Sequence, residues 1–327
     1  MNLRRYFTPP MGLHTITLGR CMDEVELATM LLSVLTYKAN IGPMTLAVDT
    51  GGLHFACAVG LNKLYDDVMP IEIPPGIDKF TFWAAGKLVA LSRMSGHVIS
   101  VDLDAVLYRK PSPLIDLHGL HYEPISWATY GWNPMWETAG QLLGANGWQR
   151  LAPINVAVAA FYNEDLRDQY TNLAIKLMQI CSRPNGGIPD SYKVSVGGSG
   201  SATPVAEMVF AEQYLLAVVA QSMNCSVRCI GDLDIGKDHM VPSKKAYHLW
   251  NSKRFYAKHD RAREMYLTNV MEEIYQLVSG QPEESTVQGI IHKLGLPTIR
   301  VVDGNAPAVR WSRAGEWFGP GEEVVRL

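Results

Sequence analysis

Two aspartates, Asp102 and Asp104, stand one residue apart at the end of the run His97-Val98-Ile99-Ser100-Val101. That run is rich in β-branched residues and reads as a buried strand. Side chains two apart on an extended backbone point the same way, so a strand ending in Asp-x-Asp presents two carboxylates together at a sheet edge. Two such charges disfavour each other's ionisation unless a cation sits between them. Hard oxygen donors suit Mg²⁺ or Mn²⁺, ions that also bind phosphate oxygens. The same spacing recurs at Asp232-Leu233-Asp234. Only the first pair also has Ala105-Val106-Leu107 and then Lys110-Pro111 behind it.

The elements that position this pair alternate. Thr15 to Leu18 is a short β-rich stretch, and Asp23 caps a helical pattern carried by Val25, Leu27, Ala28, Leu31, Leu32, Val34 and Leu35. Met44 to Val48 is a buried strand ending in Asp49, and Gly51-Gly52 turns into a second helix, Leu53 to Gly60. A third strand is expected near Leu64 to Met69, then a helix from Phe80 to Met94 carrying Lys87, then the strand ending at Asp102. Strand and helix in alternation predict a mostly parallel sheet with helices on both faces, which binds ligands beyond the carboxyl ends of its strands. Asp49 and Asp102 fall at such ends. Downstream, strands are expected at Tyr122–Ala128, Ile154–Phe161, Val227–Ile230 and Ala246–Leu249, and helices at Asp165–Ile180, Pro204–Gln221, Arg263–Val278 and Glu284–Leu294. Residues 181–204, with the GGSGS of Gly197 to Ser201, read as a loop, and the end after Pro297 as irregular.

Composition narrows the function classes. The 327 residues are 47% hydrophobic and 19% charged, enough for a large core, and the net charge of −3 advertises no polyanionic partner. Five scattered cysteines predict no disulfide framework, and Cys225 and Cys229 have no second Cys/His pair nearby to complete a zinc site. The first twenty residues lack an apolar signal core, and the run Leu27 to Leu35 is too short to span a bilayer. A cytoplasmic protein without a membrane anchor is therefore expected.

The segments Phe82-Trp83-Ala84-Ala85-Gly86-Lys87 and Ile99 to Pro111 (ISVDLDAVLYRKP) resemble the core of GT-A glycosyltransferases. The resemblance extends loosely over Thr15 to Lys253: LAVDTGG (Leu46 to Gly52) is similar to their second strand, PINVAVAAFYN carries Asn155, and EMVFAEQYLL carries Glu212 and Gln213. Tyr247 to Lys253 resembles the late His…Lys element of glycogenin-like enzymes, although Asn251 replaces the usual Gly and the spacing to Lys253 is one shorter. It implies a Rossmann-like α/β GT-A fold: a catalytic domain over 1–255, with a nucleotide-binding half about 12–112 and an acceptor half about 113–255, then a helical C-terminal extension, 256–327. It implies a donor such as a UDP- or GDP-sugar and Mn²⁺ or Mg²⁺ as cofactor. Asp102, Asp104 and His248 are then the metal ligands, and Asp49, Lys87, Asp102, Asn155 and Lys253 (with Arg254 as substitute) hold the nucleotide sugar. Asp102, Asp104, Glu212 and Gln213 are the catalytic set.

The acceptor is open: a glycan, a small molecule or a modified nucleic-acid base. Trp127, Tyr130, Trp132 and Trp136 suit a sugar platform or a core. Lys237 to Glu264 holds eight Lys/Arg against three Asp/Glu with aromatics interleaved, a composition of nucleic-acid grooves and of solvated helix faces alike. Oligomeric state is not legible. Two other readings compete. VISVDLDAVL also resembles the first motif of haloacid-dehalogenase-like phosphatases, with Ile230 to Asp238 a distant echo of their last. A GT-A fold also serves non-catalytic binding proteins.

Overall fold

The computed structural model describes residues 9–17, 22–123, 135–143, 151–182, 205–230, 246–249, 252–300 and 308–310. Strand β1 (Met11–Ile16) leads to helix α1 (Glu24–Asn40). The Asp23 carboxylate accepts from the Glu26 N–H at 2.9 Å and Glu26 reaches back to the Asp23 N–H at 3.4 Å, a capping box that fixes where α1 begins. Strand β2 (Met44–Val48) runs into α2 (Thr50–Val59), where Asp49 is the N-cap and accepts from the Gly52 N–H at 2.7 Å. Gly51 and Gly52 therefore lie inside the first helical turn rather than ahead of it. Gly52 is needed there because a Cβ would come within 2.5 Å of the Ile16 carbonyl oxygen. Then follow β3 (Asp67–Pro70), α3 (Ala85–Arg93), β4 (Val98–Val101), β5 (Ala105–Leu107) and β6 (Leu117–Gly119).

The second half contributes α4 (Met135–Leu143), β7 (Val158–Phe161) and α5 (Glu164–Cys181). The helix expected over 204–221 is α6 (Val205–Val209), a π-helical turn Phe210–Tyr214 and α7 (Leu215–Ser222). Strands β8 (Val227–Cys229) and β9 (Ala246–His248), then helices α8 (Ser252–Tyr256), α9 (Asp260–Val278) and α10 (Glu284–Leu294), complete the main body. The tail is not wholly irregular: β10 (Thr298–Arg300) pairs antiparallel with β11 (Ala308–Arg310). The strand expected at Tyr122–Ala128 is described only as far as an isolated bridge from Tyr122 to Ile154, since 124–130 lie outside the described residues.

One sheet of seven strands, ordered β3-β2-β1-β4-β7-β6-β8, spans the molecule, and β7 alone runs against the rest. Strand residues alternate between two apolar layers. Leu46 and Val48 of β2, Ile99 and Val101 of β4 and Val158 and Ala160 of β7 pack on the side of α1, α9 and α10. Ala47, Val98, Ala159 and Phe161 pack on the side of α3, α5 and α7. Period-two alternation with apolar residues on both faces is why helices must cover both. The fold is α/β with the Rossmann-like layering expected of the GT-A class. A polar residue in this core, His14, is satisfied by Tyr65 (2.7 Å) and Ser33 (3.0 Å), and burial pushes its pKa down to about 3, so it stays neutral. No helix among the described residues is long and apolar enough to cross a membrane.

Candidate metal centre

Strands β1, β2 and β4 run parallel, so Asp49 after β2 and Asp102 after β4 leave the sheet on the same edge. The Asp102 N–H donates to the Ala157 carbonyl at 2.7 Å, which holds the end of β4 against the approach to β7. Two residues on, the chain turns into β5, which pairs antiparallel with β9 and sets Ala105 opposite His248. The Leu249 N–H then donates to the Asp104 carbonyl at 2.9 Å. This pairing brings His248 to the two aspartates: one ligand atom from each of Asp102, Asp104 and His248 lies within 4.8 Å of the other two, and His248 Nε2 is 3.6 Å from Asp104 Oδ1. Among the described residues this is the one such group of His, Cys, Asp and Glu.

Two lysines border the centre. Lys87 on α3 is buried, its Nζ 2.6 Å from Asp102 Oδ1, in ion-pair contact with Glu212 and 3.3 Å from the Val156 carbonyl. Burial alone would lower the Lys87 pKa, but the charges and hydrogen bonds of Asp102 and Glu212 overcome it and raise it, so the ammonium is locked on. Burial raises the Glu212 carboxyl above its ordinary range, the Lys87 ammonium opposes that, and the Asp102 charge adds to the rise. Glu212 sits in the π-helical turn, whose backbone is pinned by Tyr170 OH donating to the Glu212 carbonyl at 2.7 Å. The second lysine, Lys253 on α8, contacts Asp104 Oδ2 and lies 2.5 Å from Glu26 Oε1 on α1. Burial works to raise the Asp104 pKa, yet His248 and Lys253 outweigh it and hold the carboxyl well below the usual range. Glu26, Asp102, Asp104 and Glu212 thus surround the two ammonium groups of Lys253 and Lys87.

The far side of the centre is built from the end of β6 and the approach to β7. Strands β4 and β6 are parallel across β7, so the chain after β6 exits on the same edge as Asp102. Glu123 accepts from Asn155 Nδ2 at 2.6 Å and stands 3.2 Å from His121 Nε2. Asn155 Oδ1 accepts in turn from the Ala157 N–H at 3.0 Å, the residue that also anchors Asp102. Burial works against the Glu123 charge, but hydrogen bonds from His121 and Asn155, with smaller help from His248, lower its pKa.

The structure thus gathers Asp102, Asp104, His248, Lys87, Lys253, Glu212 and Asn155 on one edge. Lys87 points at carboxylates rather than into open solvent. Gln213 is buried beside Glu212, and its carbonyl accepts from the Ile154 N–H at 3.3 Å. Asp49 caps α2 on that edge. Residues Trp127, Tyr130 and Trp132, the side chains of Trp136 and Arg254, and Lys237 to Lys245 lie outside the described residues, as do Gly231 to Asp238 of the second motif. Sequence reasoning missed Glu26, His121 and Glu123. For Glu26 no local signal points to a charge partner 227 positions later. Glu123 carried no local signal, since its role comes from the pairing of Tyr122 with Ile154.

No protein-family profile matches the chain, and no curated protein matches it either. Among solved structures, mouse xyloside xylosyltransferase 1 in its apo form is similar at 10% identity and a TM-score of 0.39, over 74% of this chain and 97% of that one.

Proposed function

We propose that the chain is a metal-dependent glycosyltransferase that moves a sugar from a nucleoside-diphosphate sugar to an acceptor. The observation that carries the reading is the Asp102–Asp104–His248 cluster at the carboxyl edge of a mostly parallel sheet. Two carboxylates and an imidazole are donors that Mn²⁺ accepts, so this donor set fits the group. When bound, that ion neutralises charge developing on a departing diphosphate.

The chain's own residues divide the remaining work. Asp49 receives hydrogen bonds from base or ribose. Lys253 supplies a point charge to the diphosphate, which an ammonium does without demanding a fixed orientation. Lys87 holds the Asp102 carboxylate in place. Glu212, Gln213 and Asn155 face the transferred sugar and the acceptor, and Asn155 is braced by Glu123 for that purpose. In this scheme residues 12–112 hold the donor, 113–255 the acceptor, and 256–327 form the extension.

The test is a panel of UDP- and GDP-sugars, each with and without Mn²⁺, read first by thermal shift and then by slow donor hydrolysis. Ligand bound only to the folded state raises the melting temperature by mass action. One donor should stabilise the protein only with the metal and be hydrolysed slowly. Hydrolysis of p-nitrophenyl phosphate that Asp102→Asn abolishes, with no donor effect, would replace this reading with a phosphatase. Metal and nucleotide binding without turnover would leave a binding protein.

A further inference from the structure

Lys253 bridges α1 and the aspartate turn. Its ammonium touches Asp104 Oδ2 and lies 2.5 Å from Glu26 Oε1. Short links fix both ends of this bridge. Helix α8 begins three residues after Leu249, whose N–H is bonded to the Asp104 carbonyl, and the Ser252 N–H donates to the Leu249 carbonyl at 2.6 Å. Glu26 is the third residue of α1; its Oε2 serves the capping box while Oε1 faces Lys253. Glu26 is buried and Asp104 is buried, so neither charge is well served by water.

A divalent ion on Asp104 and the Lys253 ammonium compete for one carboxylate. A cation on Asp104 Oδ1, the side His248 faces, and the Lys253 ammonium on Oδ2 repel each other across one carboxylate, so each weakens the other's hold. Among the described residues the other carboxylate in contact with Lys253 is Glu26. A diphosphate beside the metal offers Lys253 a second set of oxygens.

We propose that Glu26 is a positioning residue that holds Lys253 when it leaves Asp104, and that this competition makes the divalent ion and the nucleoside diphosphate bind cooperatively. The inference rests on the reading of Asp102, Asp104 and His248 as the metal centre. Without Lys253 the metal meets no ammonium on Asp104; without Glu26 the lysine keeps, among the described residues, only its contact with Asp104. Removing each residue therefore moves metal affinity in opposite directions, although both are merely partners of one ion pair.

The experiment measures free Mn²⁺ by electron paramagnetic resonance during titration of the full chain, alone and with UDP or GDP. Coupling between ligands in proteins runs to factors of about 5–150, and a value in that range is expected for the wild type. Lys253→Met should bind Mn²⁺ alone about tenfold more tightly and lose the nucleotide-linked gain, a change of one charge beside a buried carboxylate being worth on this order. Glu26→Gln should bind Mn²⁺ alone about tenfold more weakly and keep the gain. Glutamine can still complete the capping box, so α1 stays intact in that variant. Variants that shift Mn²⁺ affinity in the same direction, or not at all, overturn the proposal. Wild type that binds neither Mn²⁺ nor nucleotide overturns the metal-centre reading itself, a separate result.

Discussion

Lys87→Met isolates the interaction at the back of the centre. Lys87 lies between Asp102 and Glu212, its Nζ 2.6 Å from the first and in contact with the second, with only 9% of the side chain exposed. At an effective dielectric of about 20, each unit-charge pair near 3 Å is worth roughly 5 kcal/mol before desolvation is subtracted. Deleting one partner of a buried pair leaves the other charge uncompensated, which costs about 3–5 kcal/mol. Methionine approximates the lysine stem in volume, so packing contributes little to the loss. Glu212→Gln placed in the Lys87→Met background removes one of the two stranded carboxylates and should recover about 1–3 kcal/mol, a non-additive result for residues in contact. Urea unfolding of wild type, both single variants and the double variant, in chelator, gives the cycle. Saturating Mn²⁺ should then stabilise Lys87→Met more than wild type, because the variant centre carries one more negative charge. Strict additivity in the cycle would refute the claim that Lys87 is held by Glu212.

Other expected outcomes touch different parts of the account. Gly52→Ala should destabilise by about 1–3 kcal/mol through overpacking, since its Cβ would stand 2.5 Å from the Ile16 carbonyl oxygen; urea midpoints check this. Asp104 has a folded pKa below its unfolded value, so its contribution is complete above about pH 4 and drains away as pH falls toward the folded value. Acid unfolding of Asp104→Asn compared with wild type should converge as pH drops from about 5 to 2. Asn155→Ala frees Glu123 from one of its two donors and should lower transfer to acceptor by about tenfold or more while sparing Mn²⁺ affinity, as loss of a charge-assisted hydrogen bond is worth about 1.5–3 kcal/mol. Product assays alongside Mn²⁺ titration separate the two.

The half of the fold that delivers the aspartates was legible because local signals agree there. Met44–Val48 is a strand at the bounds its apolar run predicts, and Asp23 caps α1 ahead of the apolar helical pattern, as expected. The strand end at Val101 and the placement of Asp102 beyond it followed from one β-branched run. What escaped was non-local. Ala105–Leu107 is three residues long and is a strand only because β9, more than 130 positions away, pairs with it. That pairing is also what carries His248 to Asp104, so the candidate third ligand was approached through family resemblance and not through pattern. Gly51-Gly52 looked like a turn because glycine is a poor helix former, but the Asp49 cap and the close approach of Ile16 override propensity. The π-helical turn at Phe210–Tyr214 has no periodicity of its own, and it is where Glu212 meets a lysine 125 positions earlier.

The central claim is that a divalent ion binds between Asp102, Asp104 and His248 beside a diphosphate. A crystal grown with Mn²⁺ and UDP or GDP, measured at the manganese edge, tests it directly. The account predicts one anomalous peak about 2.0–2.3 Å from oxygens of the two aspartates and the His248 nitrogen, with diphosphate oxygens completing the shell. Bound nucleotide with manganese elsewhere, or with these three side chains engaged only by protein groups, would contradict it.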